Sequence, residues 1–434
     1  MAGGKGTRIQ QIRDDIPKPM LSVLGKPILQ YQIEYLERYG ITDIIMIIGY
    51  LGSVIQNYFG NGSRWNVNIR YIVEKEPLGT AGAFFYLKEM IVEDFVLLLG
   101  DLILDIDYNR FIEFHREHSA DITLFSHPSS HPYDSDVLVV DKDRRVIKFL
   151  LKNEKREEYY HNLVNAGVYC INYKVLNSIT ELKKRDLEQE VIVRQIRYGS
   201  VYAYKSTEYV KDMGTPERWR MVSEDMRNGL VERRNLKNKQ KAIFLDRDGT
   251  VNKQKGYIKS VDEFELLPQV AEAVRNINHS MYLAIIITNQ PVVARGECDI
   301  SELERIHMKM EMELSKDGGY IDDIFYCPHH PDSGFEGEVL EFKISCDCRK
   351  PGIAMIKKAA EKYNIDLSQS WCIGDTTIDI QTGKNAGMHT ALLKTGEAGE
   401  DGKYQVTADI EADNLLEAVK KIIGFDSLIK REIN

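Results

Sequence analysis

Short apolar runs alternate with helix-like segments along the whole chain, and this pattern constrains the fold most strongly. Residues 43–49 and 95–99 are typical of buried strands. Between Pro27 and Gly40, the apolar residues Leu29, Ile33 and Leu36 recur on one helical face, and Gly40 is a suitable helix end. Alternation of this kind predicts parallel sheets covered by helices, so we expect an α/β fold.

One charged stretch interrupts the alternation. Residues 232–240 are nearly devoid of apolar side chains, and a second α/β pattern begins at Lys241. The 434 residues suit two or three domains. We therefore predict two doubly wound domains, residues 1–222 and 241–434, joined by a linker over residues 223–240.

Bulk composition excludes several classes of protein. A net charge of -9 argues against a surface for nucleic acid or anionic membrane. The apolar runs are too short to span a bilayer, and we expect no signal peptide because the chain opens on glycines and charge. Four of the six cysteines stand in metal-type spacing, which favours a reducing cytoplasm over a disulfide framework.

Acidic residues follow a strand-like run at residues 242–245. Asp246 and Asp248 leave this run on a glycine turn and suit a nucleophile and an acid/base partner in phosphoryl transfer. Thr288 and Asn289 follow a second strand-like run and would supply hydroxyl and amide donors at a strand end. This spacing predicts phosphate chemistry through an aspartate.

Two further residues downstream complete this predicted phosphate site. Lys350 would neutralise the phosphate, and Asp375 follows another strand-like run, residues 371–374. We expect Asp375 to complete a Mg²⁺ site with Asp246 and Asp248, and Asp379 to support it one helical turn later.

A second group of residues, three cysteines and a histidine, has the spacing of a metal site. Cys327 and His329 are followed, after residues 330–345, by Cys346 and Cys348. Three thiolates and one imidazole make a closed tetrahedral Zn²⁺ site, which is structural because no position stays open for water. His330 is a rival to His329 as the fourth ligand. The intervening segment has few apolar residues, so metal would hold it.

These motifs in this order resemble the haloacid dehalogenase superfamily over residues 241 to about 395. The loop between the proposed zinc ligands and the segment Cys348-Arg349-Lys350-Pro351 are similar to those of D-glycero-D-manno-heptose 1,7-bisphosphate 7-phosphatases. They are more distantly similar to those of histidinol-phosphatases. The resemblance implies that Arg295 and Arg349 contact the substrate and that His329, rather than His330, binds zinc. Pro291-Val292 and Thr376 depart from the family pattern near the phosphate.

The N-terminal end carries a glycine-rich loop with two cations. Gly3, Gly4 and Gly6 would let backbone N–H groups approach a triphosphate, and Lys5 and Arg8 would offset its charge. Further motifs follow in order: Pro17-Lys18-Pro19, Gly79-Thr80-Ala81-Gly82, Gly100-Asp101, Asn165-Ala166-Gly167 and Asp212-Met213-Gly214.

This series resembles the sugar-1-phosphate nucleotidylyltransferases over residues 1 to about 220. The resemblance implies that Arg8 and Lys18 stabilise phosphate and that Asp101 and Asp212 hold Mg²⁺. It also implies nucleotide or sugar contacts by the following residues: Gly3, Gly4, Gly6, Thr7, Gly79, Thr80, Asn165 and Gly167. Residues 149–153 keep a lysine but lack the glutamate usual in the sugar pocket, so sugar recognition should differ.

Relatives carry an apolar strand before the glycine loop, and this chain begins at Met1 in its place. We expect the Rossmann-like domain to lack its usual first strand and attribute this to a misassigned start. An in-frame stop immediately upstream would contradict that explanation and favour an impaired transferase.

Joining the halves predicts a bifunctional cytoplasmic enzyme of nucleotide-activated heptose synthesis that feeds a surface glycan. Its substrates would be sugar phosphates and a nucleoside triphosphate, GTP for an α-anomer or ATP for a β-anomer. The sequence leaves open whether the protein forms a homo-oligomer. One alternative is a hexose-1-phosphate nucleotidylyltransferase fused to another phosphatase, for example one acting on histidinol phosphate. The other is an inactive N-terminal scaffold on an active phosphatase.

Overall fold

The structure, a computed structural model, describes residues 1–2 and 15–433, with side chains described as far as residue 425. These residues form two units. Unit 1 comprises Met1–His127, Leu138–Leu150 and Asn165–Asn235, and unit 2 comprises Pro128–Val137, Leu151–Val164 and Leu236–Asn434. Two short segments of the first half of the sequence thus belong to unit 2, and the domain limits drawn from the sequence stay a prediction. In the part of the chain that is described, no helix has the length and apolarity that a membrane crossing requires.

Unit 1 contains strands and α-helices in alternation, and six of the twelve strands that the structure describes there form one mixed sheet. The strands are β1 (Ser22–Val23), β2 (Lys26–Pro27), β3 (Asp43–Ile48), β4 (Asn68–Val73), β5 (Phe95–Leu98), β6 (Leu102–Asp105), β7 (Ile122–His127), β8 (Val137–Val140), β9 (Val146–Leu150), β10 (Val164–Ile171), β11 (Val201–Lys205) and β12 (Tyr209–Asp212). The α-helices are α1 (Ile28–Arg38), α2 (Gly52–Phe59), α3 (Phe84–Leu87), α4 (Tyr108–Glu117), α5 (Val193–Tyr198), α6 (Pro216–Arg227) and α7 (Leu230–Arg233). Leu187–Ile192 forms a π-helical turn.

The predicted elements near the start of unit 1 are confirmed. Helix α1 buries Leu29, Ile33 and Leu36, the face that the sequence spacing indicated. Gly40 follows the helix with φ of +72°, a conformation that glycine adopts without steric cost, and its N–H donates to Glu37 at 2.9 Å. Strands β3 and β5 stand where buried strands were expected.

The expectation of parallel sheets is wrong for much of unit 1. The main sheet has the order β11-β7-β10-β8-β9, with β5 also paired to β10. Strand β11 is parallel to β7, but β10 is antiparallel to both β5 and β8. Only residues 141–145 separate β8 from β9, which is too few for the helical crossover that parallel neighbours require.

Met1 and Ala2 lie between two strands of unit 1. The terminal ammonium donates to the Leu98 carbonyl at 2.9 Å, and Gly100 donates to the Met1 carbonyl at 2.8 Å. On the other side, the Ala2 N–H donates to Ile47 of β3 at 2.8 Å. The position expected for the first strand is thus bordered by β3 and β5. The hypothesis of a misassigned start stays a prediction.

Part of the predicted linker is structured. Helices α6 and α7 occupy its first half, and Asn235 donates from Nδ2 to the buried Asp105 at 2.7 Å within unit 1. At the start of unit 2, Gln240 exchanges backbone hydrogen bonds with Asn364 and Asp366 at 3.0 and 2.8 Å. These residues therefore make defined contacts, and the limits of the linker stay a prediction.

Unit 2 has one fully parallel sheet with helices packed against it. Its strands are β13 (Lys241–Leu245), β14 (Tyr282–Asn289), β15 (Asp323–Cys327), β16 (Trp371–Gly374), β17 (His389–Leu393) and β18 (Ile410–Ala412). Its α-helices are α8 (Val270–Asn278), α9 (Ile300–Ser315), α10 (Ala354–Tyr363), α11 (Thr377–Asn385) and α12 (Leu415–Ile433). The strand order is β15-β14-β13-β16-β17-β18.

Strand β13 lies inside this sheet and is buried on both faces. Ile243 and Leu245 pack into one apolar cluster, and Ala242 and Phe244 pack into another. Because successive side chains point to opposite faces, an unbroken apolar run is what a covered parallel strand requires. The carboxyl ends of β13, β14 and β16 meet at one edge, where ligand sites of α/β sheets lie.

Candidate active sites and metal centre

Asp246 leaves β13 beside a buried lysine. Lys350 Nζ lies 2.8 Å from Asp246 Oδ1 and 2.5 Å from Asp379 Oδ1. All three side chains are buried. Burial opposes the charge on Lys350, but Asp246 and Asp379 outweigh it and raise the pKa of the ammonium above its usual range. The predicted nucleophile and the predicted phosphate-neutralising lysine are thus in direct contact.

Asp375 follows β16 and points into the same cluster. One oxygen of Asp246, Asp375 and Asp379 each lies within 4.8 Å of the others. Burial, with the nearby charges of Asp246 and Asp379, raises the pKa of Asp375 to about 8. Asp375 Oδ2 accepts a hydrogen bond from the Glu397 amide at 2.7 Å, whereas its buried Oδ1 finds no partner in the described part of the chain.

These features fit a divalent cation. One ammonium faces three carboxylates, so the cluster keeps negative charge, and hard oxygen ligands are what Mg²⁺ prefers. The Asp375 Oδ1 atom, which no group among the described residues engages, can serve as a ligand atom. Burial also raises the pKa of Asp246 to about 7 despite Lys350, and a bound cation would oppose that shift.

Asp248 is held by a different set of groups. Its carboxylate accepts two hydrogen bonds from Arg247 Nη2, both at 2.9 Å, one from Asn252 at 2.9 Å and one from Gln290 at 2.8 Å. Burial opposes ionisation of Asp248, but Arg247, Asn252 and Gln290 outweigh it and lower the pKa of its carboxyl. Asp248 is outside the group of three carboxylates, so its role as a Mg²⁺ ligand stays a prediction.

Thr288 and Asn289 end β14 next to these groups. Thr288 Oγ1 accepts from Gln290 Nε2 at 2.9 Å. Asn289 exchanges two hydrogen bonds with the backbone of Lys350, at 2.9 and 3.3 Å, and so fixes the segment that carries the lysine. The amide of Asn289 thus positions Lys350, and its predicted contact with the substrate stays a prediction.

The four predicted zinc ligands converge at the end of β15. Cys348 Sγ lies 3.2 Å from Cys327 Sγ, 3.0 Å from Cys346 Sγ and 3.2 Å from His329 Nδ1. The thiols form no disulfide. His330 instead accepts from the Asp332 amide at 3.2 Å and stays outside the cluster, so the structure favours His329. Three sulfurs and one nitrogen suit a structural Zn²⁺.

The zinc loop, defined here as residues 330–345, precedes the segment that carries Lys350. Arg349, the residue directly before Lys350, donates from Nη1 to the His329 carbonyl at 3.2 Å. Arg295 lies beside two aromatic rings, with its guanidinium carbon 4.3 Å from the centre of the Tyr257 ring and 4.4 Å from that of Phe335.

The candidate transferase site of unit 1 brings together residues from distant motifs. Lys18 forms an ion pair with Asp101. Asp212 ends β12 opposite Leu102 of β6, the neighbour of Asp101, and pairs with Arg218 at 2.5 Å. The two aspartates therefore approach each other through strand register. Their role in holding Mg²⁺ stays a prediction.

The glycine motifs of unit 1 contain residues predicted to contact the nucleotide or the sugar. Gly79 has φ of +75°, and a Cβ there would lie 2.3 Å from the Arg185 carbonyl, so only glycine fits. Thr80 Oγ1 accepts from the Leu187 amide at 2.7 Å. Gly167, two residues after Asn165, has φ of +76°. The predicted phosphate-loop residues Gly3, Gly4, Gly6, Thr7 and Arg8 lie outside the described residues.

Several residues of the candidate phosphatase and transferase sites were not assigned from the sequence. Glu188 accepts from Tyr169 Oη at 2.7 Å, and Tyr169 accepts from Asn165 at 2.8 Å, which links Glu188 to the predicted sugar pocket. It lies in the π-helical turn, which no periodic signal marks. Arg247 lies between Asp246 and Asp248, and Gln290 directly follows Asn289, but only their hydrogen bonds to Asp248 reveal their part.

The parallel sheet, with aspartates at the ends of β13 and β16 and a buried lysine paired with Asp246 and Asp379, defines unit 2 as a hydrolase of the haloacid dehalogenase type. A nucleotidyl transferase family model matches residues 1–229, and a HAD-hydrolase-like model matches residues 347–418.

Named relatives match each half separately. A D-glycero-beta-D-manno-heptose-1,7-bisphosphate 7-phosphatase of Haemophilus ducreyi is 36% identical over 182 residues, 42% of this chain and 97% of the relative. A mannose-1-phosphate guanylyltransferase of Mycobacterium tuberculosis is 31% identical over 234 residues, 53% of this chain and 64% of the relative. This chain thus spans somewhat less than two thirds of that guanylyltransferase.

A crystal structure of D,D-heptose 1.7-bisphosphate phosphatase from B. bronchiseptica, with magnesium and phosphate, is 32% identical, with a TM-score of 0.38. It covers 43% of this chain and 99% of its own chain. The chain belongs to the nucleotidyl transferase family, and its second half belongs to the D-glycero-beta-D-manno-heptose-1,7-bisphosphate 7-phosphatase family. It is therefore an enzyme that joins a phosphatase to a nucleotidyltransferase.

Proposed function

We propose that unit 2 removes the 7-phosphate of D-glycero-D-manno-heptose 1,7-bisphosphate, and that the nucleotidyltransferase part then activates the resulting heptose 1-phosphate. The observation that carries this proposal is the buried contact of Asp246 with Lys350 beside Asp375 and Asp379. The names of the relatives supply the substrate class. The product of the first reaction is the type of substrate that the second requires.

In the phosphatase reaction, a carboxylate oxygen of Asp246 attacks phosphorus, and the bond from phosphorus to the C7 oxygen breaks. The leaving alkoxide takes a proton from Asp248. Water then attacks the phosphoaspartate while Asp248 takes back a proton, which releases phosphate and restores Asp246. Lys350 stabilises the negative charge on the transferring group.

Asp248 needs a proton to act as an acid, although Arg247 and its neighbours lower its pKa. An arriving phosphate anion raises the pKa of a nearby carboxyl, so substrate binding itself favours the protonated form. The hydrogen bonds from Arg247, Asn252 and Gln290 then suit Asp248 for its second task, the activation of water.

Two metals belong to the proposal for unit 2. Asp246, Asp375 and the adjoining Asp379 would hold Mg²⁺, which supplies charge neutralisation for the phosphoryl group. Cys327, His329, Cys346 and Cys348 would hold a structural Zn²⁺ that orders the zinc loop and the approach to Lys350.

In the transferase reaction, a phosphate oxygen of the sugar 1-phosphate attacks the α-phosphorus of the NTP, and pyrophosphate leaves. Arg8 and Lys18 would neutralise phosphate charge, and Asp101 and Asp212 would hold Mg²⁺. The relatives point to different nucleotides, because one is named for a β-heptose and the other for guanylyl transfer. We therefore propose a cytoplasmic enzyme that uses GTP with an α-anomer or ATP with a β-anomer, and whose product feeds a surface glycan.

Incubation with each anomer of the bisphosphate and with GTP or ATP tests the proposal when products are identified by mass. We expect phosphate, pyrophosphate and one NDP-heptose, and no phosphate release by Asp246→Asn. Phosphate release that survives Asp246→Asn would refute the phosphoaspartate mechanism. Pyrophosphate release only with hexose 1-phosphates, or phosphate release only from histidinol phosphate, would favour the other enzyme pair. No pyrophosphate release from a chain with its first strand restored would favour a scaffold.

A further inference from the structure

Two segments from the first half of the sequence fold with the phosphatase unit. Pro128–Val137 and Leu151–Val164 belong to unit 2, although the nucleotidyl transferase model spans them. Asn162 joins the two segments, because its side chain accepts from the Ser129 amide at 2.9 Å and donates to the Ser129 carbonyl at 2.7 Å. The two segments therefore support each other within unit 2.

His161, in the second segment, bridges two carboxylates of α9. Its Nδ1 lies 2.8 Å from Glu311 Oε2, and its Nε2 lies 3.3 Å from Glu304 Oε2. Glu311 is buried, and the amide of Asn162 also donates to it at 3.4 Å. Burial opposes a charge on His161, but hydrogen bonds to Glu304 and Glu311 outweigh it and raise the pKa of the imidazole above its usual range. Both ring nitrogens therefore donate, as in an imidazolium.

Glu304 stands between His161 and a second histidine, His307, which is buried. The Glu304 Oε1 atom accepts from Tyr326 Oη at 3.0 Å. Its Oε2, which faces His161, lies 4.0 Å from His307 Nδ1. That distance is too long for a hydrogen bond, and His307 Nδ1 finds no acceptor among the described residues. His161 thus holds the Glu304 carboxylate just out of reach of His307.

His307 in turn contacts the arginine that holds Asp248. Arg247 Nη1 lies 3.4 Å from His307 Nε2, and this nitrogen must accept because a guanidinium has only donors. The proton of the ring is therefore on Nδ1. Burial and the charge of Arg247 outweigh the nearby Glu304 and lower the pKa of His307 to about 3, which keeps the ring neutral. On its other side, Arg247 Nη2 donates to both oxygens of Asp248 at 2.9 Å.

These contacts form one relay inside unit 2. It runs from His161 through Glu304, His307 and Arg247 to Asp248. We propose that His161 is a positioning residue, which places the acid/base carboxylate of Asp248 through this relay. Without His161, Glu304 accepts from His307 Nδ1 instead and draws that ring away from Arg247, so the guanidinium holds Asp248 less precisely. This inference rests on the proposed phosphatase function, and it assigns part of that function to a segment inside the nucleotidyl transferase match.

The leaving group distinguishes this role from a merely structural one. In the proposed mechanism Asp248 protonates a sugar alkoxide, whereas p-nitrophenolate is a stable anion and leaves without a proton. We expect His161→Ala to lower kcat/KM for heptose 1,7-bisphosphate by roughly 2- to 30-fold, the range for changes within a coupled network. For p-nitrophenyl phosphate kcat/KM should stay the same, because it reports the steps up to departure of the leaving group. His161→Arg, which keeps a cation with several donors, should restore the rate with the bisphosphate.

Two further measurements test the relay itself. His307→Gln should give the same pattern, and the double variant should lose no more than the larger of the two single losses, because both changes act on one path. In proton–nitrogen NMR spectra, the wild-type His307 ring should be neutral with its proton on Nδ1. His161→Ala should move that proton signal downfield, because the proton enters a hydrogen bond with Glu304. His131→Ala is the matched control, since His131 is exposed and lies in the other segment, and it should match the wild type throughout.

Several results would overturn the proposal. These are an unchanged kcat/KM for the bisphosphate in His161→Ala, equal losses on both substrates, additive losses in the double variant, or an unmoved His307 proton signal. Histidinol phosphate serves as a second alkyl ester. If the wild type hydrolyses it and not the heptose bisphosphate, the heptose assignment fails, and the loss in His161→Ala on histidinol phosphate decides the positioning role. If the wild type hydrolyses neither alkyl ester, the proposed phosphatase function fails, and the positioning role fails with it.

Discussion

Gly249→Ala should disable the phosphatase by displacing Asp375 rather than by unfolding the protein. Gly249 has φ of +84°, and a Cβ there would lie 2.2 Å from Asp375 Oδ2. The left-handed backbone costs about 1–2 kcal/mol for any residue with a Cβ. The clash adds a second effect, because the carboxylate must move by about 1 Å, and a misplacement of that size costs about 10²-fold in rate.

Gly387→Ala separates the two effects. Gly387 has φ of +71°, but a Cβ there would meet nothing within 4 Å. Both variants should therefore lose about 1–2 kcal/mol, which lowers Tm by about 2–8 °C in a unit of this size. Only Gly249→Ala should lose about 100-fold in kcat/KM and need more Mg²⁺ for half-maximal activity.

Scanning calorimetry and steady-state phosphate release over a Mg²⁺ titration measure these quantities. If both variants lost the same activity, backbone strain alone would explain the result, and the placement of Asp375 as the sensitive element would be wrong. If Gly249→Ala kept the Mg²⁺ requirement of the wild type, Asp375 would not be a metal ligand.

Three further changes test other parts of the molecule. Lys18→Met should lower pyrophosphate release by about 10²-fold, because it removes a preorganised positive charge, and should leave phosphate release unchanged; equal losses in both assays would contradict separate sites. Cys346→Ser should abolish stoichiometric zinc binding in elemental analysis and lower Tm, whereas wild-type zinc content and Tm would rule out the proposed centre. Burial raises the pKa of Asp105 from 3.8 to about 6, so the folded state binds this proton more tightly and loses stability as pH rises from about 4 to about 6. Asp105→Asn should therefore raise Tm more at pH 7.5 than at pH 4.5 in thermal melts, and an equal shift at both values would exclude this origin.

The sequence anticipated much of unit 2 because its signals are local. Each motif follows an apolar run, and parallel strands bring their carboxyl ends to one edge, so Asp246, Thr288 and Asp375 had to be neighbours. The four proposed zinc ligands could be chosen from spacing and donor type, and the family resemblance favoured His329 over His330; the structure brings the same four side chains together. The pairing of Asp379 with Lys350 also depended on packing.

Unit 1 was less predictable. The antiparallel pairing of β10 with β5 and β8 joins segments far apart in sequence, and periodicity carries no information on strand direction. Glu188 entered the candidate sugar pocket through a π-helical turn without a sequence signal. Arg234, Asn235 and Leu236 are buried, although they lie in the charged stretch from which the linker was predicted.

The sequence by itself determined the α/β class, the two chemistries and the residue types proposed to perform them, because strand periodicity and donor spacing are properties of short segments. The tertiary structure alone decided which side chains meet: Arg247 with Asp248, Asn289 with the Lys350 backbone, and Arg295 with Tyr257 and Phe335. These contacts depend on strand order, loop packing and rotamers over long sequence separations. A local pattern cannot specify them, since they result from minimising the free energy of the whole chain.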